Sequence, residues 1–173
     1  MSNRRRIFTR GNSMLEFTLV GIPLIFILIT TFEMSRGMWS YQTLAYAVKS
    51  GTRYSIVHGK DCSIAQNSCT VTISQIAGII QSAGVGLPAN SVTLTFTDAN
   101  GNATSCVMSD CIANYTSSTW PPSMANAPGQ DLRISGVLPF YSAMAMFWPG
   151  AGRPMGMMPG VWLSADSRET VQY

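Results

Sequence analysis

From Phe17 to Phe32 the chain runs without a single charge, FTLVGIPLIFILITTF. Extended back to Met14, this is a stretch of 19 residues interrupted only by Glu16. As a helix it would be about 28 Å long, close to the roughly 30 Å hydrocarbon core of a bilayer. Glu33 and Arg36 mark its far boundary, and Trp39 and Tyr41 are amphipathic residues suited to a membrane interface. A core helix of a soluble protein rarely carries so long an uncharged run. A cleaved signal peptide would fit the basic start, but Ser35-Arg36-Gly37 is a poor small-x-small cleavage site. A membrane span over 14–32 is the reading adopted, with a plain unprocessed anchor as the simpler alternative.

Charge gives the span a direction. Only 11% of residues are charged, against about 25% in ordinary soluble domains. Four of the eleven basic residues, Arg4, Arg5, Arg6 and Arg10, lie in the first ten positions. Without them seven basic residues face eight acidic ones, so no basic surface remains for nucleic acid. The arginines act as a topology signal, since basic flanks stay cytoplasmic. The expectation is a single-pass membrane protein with its N-terminus cytoplasmic and everything after Phe32 external.

The mouth of the span carries the chemistry. A basic leader ends in Gly11, and Glu16 follows five residues later in Gly11-Asn12-Ser13-Met14-Leu15-Glu16-Phe17. A carboxylate at a bilayer centre costs on the order of 2.5–3.5 kcal/mol on insertion scales, and less near the edge. An ionisable residue there is a functional candidate; the bland alternative is a glutamate lying among headgroups. The spacing resembles the type IV prepilin processing site, where a membrane peptidase cuts after the glycine. That resemblance implies cleavage between Gly11 and Asn12. It also implies that Glu16 meets the new terminal amine of a neighbouring subunit. Two groups costly alone in lipid become tolerable as a pair.

The likeness extends along the helix. It runs through Arg10–Phe17, Pro23, then Phe32-Glu33-Met34-Ser35-Arg36-Gly37-Met38-Trp39, then Leu44-Ala45-Tyr46-Ala47-Val48-Lys49-Ser50-Gly51-Thr52-Arg53-Tyr54. This ordered series resembles the N-terminal signature of the TadE-like family, pilin-like proteins of the tight-adherence pilus system. Leu138-Pro139-Phe140 and Leu163-Ser164-Ala165-Asp166-Ser167 are loosely similar to that family's C-terminal pattern. The resemblance implies a minor pilin or pseudopilin without cofactor. Its implied partners are the membrane, other pilin-like subunits, the pilus-assembly machinery and a prepilin-type peptidase. Whether the subunit enters the filament is left open. The four cysteines are a departure from the family pattern.

The fold expectation is α+β. Residues 1–11 form a cytoplasmic leader, 12–57 a long helix, and 58–173 an extracytoplasmic domain. Met34, Met38, Tyr41, Ala45 and Val48 recur at helical steps and predict an apolar docking stripe. Gly59 is placed as a helix stop, and Pro23 as a kink. Ile73, Ile76, Ile79 and Ile80 predict a short amphipathic helix over 71–83. Alternation predicts a strand over 91–97, then a turn at Asp98-Ala99-Asn100-Gly101. Further strands are expected over 131–140 and 161–173, with loops at 113–130 and 148–160. Together these give a long transmembrane helix, a short helix and a small antiparallel sheet.

Cys62, Cys69, Cys106 and Cys111 allow three pairings. Cys62–Cys69 and Cys106–Cys111 need the least rearrangement of the chain; four reduced thiols are the alternative. Neither spacing matches the usual structural zinc pattern. The single histidine, His58, sits at an expected helix end, and no nucleophile motif or phosphate-binding loop appears. The tract holding Met144, Met146, Met155, Met157 and Met158 is interleaved with Pro and Gly, and reads as a loop before it reads as a metal site. The expectation is therefore a non-enzyme without metal, acting in assembly of a pilus for surface adherence. A membrane-anchored adhesin without prepilin processing is the alternative.

Overall fold

The structure is a computed structural model that describes residues 10–58, 70–141 and 161–172, with side chains from Met14 onward in the first stretch. Arg4, Arg5, Arg6, Gly59, Cys62, Cys69 and the methionine tract lie outside the described residues.

One helix, α1, runs from Arg10 to Ile56 with Pro23 inside it. Among the described residues its apolar first half is exposed: Phe17 is 77% exposed and Phe32 69%. The polar side chains there are satisfied within the helix. The Thr18 hydroxyl donates to the Met14 and Leu15 carbonyls, Thr30 to Phe26 and Thr31 to Ile27. Such local bonding is what a helix in lipid requires, because no water is there to take the donors.

The second half of α1 packs, and of the expected stripe Val48 is buried and Ala45 lies against the core, but its first three members do not dock. Met34 and Met38 are exposed, and Tyr41 is nearly half exposed. The docking face is one step round the helix, at Glu33, Gly37, Ser40, Leu44, Ala47, Val48, Gly51 and Ser55. Most of these residues are small, and that is the reason for the difference. A Cβ on Gly51 would stand 2.5 Å from Ile80 Cγ1, so the neighbouring helix approaches too closely for any side chain. The buried Thr52 and Ser55 hydroxyls are taken up by the Val48 and Gly51 carbonyls of the preceding turn. A search for hydrophobic residues misses a face made this way.

The neighbouring helix is α2, Ile73–Ala83. It begins two residues later than expected because Thr72 caps it. The Thr72 hydroxyl accepts from the Gln75 backbone N–H, and the Gln75 side chain accepts from the Thr72 N–H. Ile73, Ile76, Ala77 and Ile80 are buried.

Among the described residues four strands complete the domain: β1 Thr93–Thr97, β2 Ala103–Val107, β3 Asp131–Phe140 and β4 Val161–Thr170. They form one antiparallel sheet in the order β2-β1-β3-β4. The expected α+β arrangement of long helix, short helix and antiparallel sheet is the one observed. β1 starts later than expected because Ser91 and Val92 donate back to the Pro88 carbonyl. The expected turn closes the β1–β2 hairpin. Asp98 is buried and accepts from the Asn100 and Asn102 backbone N–H groups and from the Asn102 side chain. Gly101 takes φ +85° there, a conformation that favours glycine. β2 and a seven-residue helix, α3 (Met108–Asn114), were not expected from the sequence.

The core lies between one face of the sheet and the helices. Leu44, Val48, Ile76, Ile80, Leu94, Phe96, Met108, Leu132 and Ile134 are fully buried. A Cβ on Gly136 would meet Val48 Cγ2 at 2.9 Å, so β3 lies directly on α1. Phe96 packs edge-on against Trp120, with ring centroids 5.4 Å apart.

A disulfide joins Cys106 at the end of β2 to Cys111 in α3. Closing so short a loop is worth about 2 kcal/mol on chain-entropy grounds. The double substitution Cys106→Ser with Cys111→Ser is therefore expected to lower stability by about that amount. Chemical denaturation of the full chain, with and without the pair, measures it.

Candidate functional site

Gly11 and Asn12 lie in the first turn of α1. Glu16 follows five residues after Gly11, about 7.5 Å further along the axis. Asn12 and Glu16 are four residues apart, so they occupy the same side of the helix. Gly11 and Glu16, five residues apart, stand about 140° apart round the helix. Glu16 is exposed, and the uncharged run that follows is exposed as well. Among the described residues this is the one helix long and apolar enough to cross a membrane.

A second ionic feature stands at the other end of the run, and the sequence underestimated it. Glu33 is buried, at 8% exposure. Arg36 Nη2 donates to Glu33 Oε2 at 3.0 Å and also to the Tyr141 carbonyl. The guanidinium sits 4.6 Å from the centre of the Phe140 ring. A Cβ on Gly37 would lie 3.5 Å from that ring. Glu33 and Arg36 therefore tie the end of the span to the end of β3. They are more than markers of a boundary. The signal in the sequence was the i, i+3 acid–base spacing. Its partner, Phe140, is more than a hundred residues away, so the sequence did not show the contact.

The remaining candidates separate from these. His58 is buried at the end of α1, with Nδ1 2.7 Å from the Tyr54 carbonyl and its ring 4.4 Å from that of Tyr54. Nδ1–H donates to that carbonyl, which fits a helix-terminal role and leaves no open solvent role. Among the described residues no group of three or more His, Cys, Asp or Glu side chains is placed to hold a metal.

The far end of the sheet's open face carries two exposed diagonal ion pairs, Arg133–Asp166 at 2.7 Å and Arg168–Asp131. Arg133 Nε donates to Asp166 Oδ1, and that hydrogen bond, aided by the carboxylate's charge, raises the pKa of the Arg133 guanidinium.

Comparison with known proteins singles out the same stretch of α1. Residues 11–53 match the family described as TadE-like protein. The matched stretch opens on Gly11, contains Glu16, the whole apolar run, Glu33 and Arg36, and ends in the small-residue docking face. No curated protein and no solved structure matches the chain.

Proposed function

We propose that this chain is a non-catalytic, pilin-like subunit that acts in assembling a tight-adherence-type pilus. In this reading α1 anchors it in a bacterial inner membrane, with Arg4, Arg5, Arg6 and Arg10 on the cytoplasmic side. The sheet domain then lies in the periplasm or outside the cell. A prepilin-type peptidase cuts between Gly11 and Asn12, and Glu16 pairs with the terminal amine of a neighbouring subunit.

The observation that carries this reading is the open face of α1. A long helix whose apolar half is exposed among the described residues needs a partner, and a helix of that length and composition fits lipid and other such helices. The TadE-like match over residues 11–53 supports the choice of pilus system. Gly11 and Glu16 at the head of that match support the prepilin comparison.

The test is genetic and direct. Removing the chain from a strain that bears the pilus is expected to reduce surface filaments strongly, and the full chain supplied in trans is expected to restore them. Unchanged filament number in the deletion strain would contradict the reading.

A further inference from the structure

We draw no further inference here: the strongest candidate, the polar cleft between the β1–β2 hairpin and the 118–122 loop, lined by Asp98, Asn102, Thr104, Tyr115, Thr119 and Trp120, is bordered through Trp120 by Val71, and nothing in the structure shows what covers it, because the chain leading up to that border, 59–69, lies outside the described residues.

Discussion

Glu16→Gln is expected to leave synthesis and membrane insertion intact and to cut pilus assembly, or co-purification with partner pilins, by about a hundredfold or more. The amide keeps the size and much of the hydrogen bonding of the carboxylate, and losing the charge eases its entry into lipid. If Glu16 pairs with a neighbour's terminal amine, the substitution leaves that amine buried without its counter-charge. Breaking a buried pair from one side costs about 3–5 kcal/mol, and about 2.7 kcal/mol already corresponds to a hundredfold change in affinity. A glutamate lying among headgroups would lose well under about 1 kcal/mol.

The comparator matters here. Glu33, at the other end of the run, would be the natural control for generic loss of charge. Its burial and its bond to Arg36 disqualify it, because Glu33→Gln disturbs the tie between α1 and β3. Asp166→Asn is the better control, since its pair with Arg133 is exposed and such pairs contribute about 0–1 kcal/mol. Equal and mild effects from Glu16→Gln and Asp166→Asn would remove the physical reason for assigning Glu16 a role in assembly.

Phe96→Ala is expected to be the most destabilising single truncation in the sheet domain. Phe96 is fully buried, it is the largest of the fully buried side chains, and it packs against Trp120. Replacing a core phenylalanine by alanine removes transfer free energy and leaves a cavity, at a cost of about 3–5 kcal/mol. The edge-on ring contact adds about 0.5–1.5 kcal/mol beyond the buried area. For a domain of this size the loss corresponds to a fall in Tm of about 10 °C or more. Near-ultraviolet circular dichroism of the full chain in detergent, followed on heating, reads it. The anchor should be indifferent, because the span makes no contact with Phe96. A Tm within a few degrees of the parent chain would show that the core is not closed by this residue.

These expectations rest on parts of the molecule that differed in how plainly the sequence declared them. The span was legible because sixteen uncharged residues between Phe17 and Phe32 admit few alternatives. β3 was legible because Leu132, Ile134 and their neighbours alternate strictly. The turn at Asp98–Gly101 was legible because it follows from side-chain chemistry that acts within a few residues, whereas the equally local cap at Thr72 was missed, the helix being expected to begin at Val71.

The docking face of α1 was not legible. Period alone selects Met34, Met38, Tyr41, Ala45 and Val48, of which only Ala45 and Val48 pack on the core, while close approach selected Gly37, Ser40, Gly51 and Ser55. How close two elements come is a property of the partner, and the partner's side chains, Ile80 and Phe140, lie far along the chain. β2 was missed for a different reason. Ala103–Val107 has few strong strand formers, and its place is set by pairing with β1 across the hairpin. The turn at Asp98–Gly101 was the available signal, since a hairpin turn needs a second strand. α3 has no side-chain cap at its start and is closed by the Cys106–Cys111 bond instead. Of the candidate site, Gly11 and Glu16 were visible as a local spacing. The tie from Glu33 and Arg36 to Phe140 and Tyr141 was not, because it joins residues brought together only by the fold.

The central proposal is that this helix belongs to a processed, pilin-like subunit, and its N-terminus after synthesis answers that most directly. The full chain should be extracted from membranes of a host with an active prepilin-type peptidase, and from the same host lacking it, and its intact mass measured. The expected result is a chain beginning at Asn12 in the first host and a chain that retains Arg4, Arg5, Arg6 and Gly11 in the second. A chain that still carries those residues in the presence of the active peptidase would contradict the proposal.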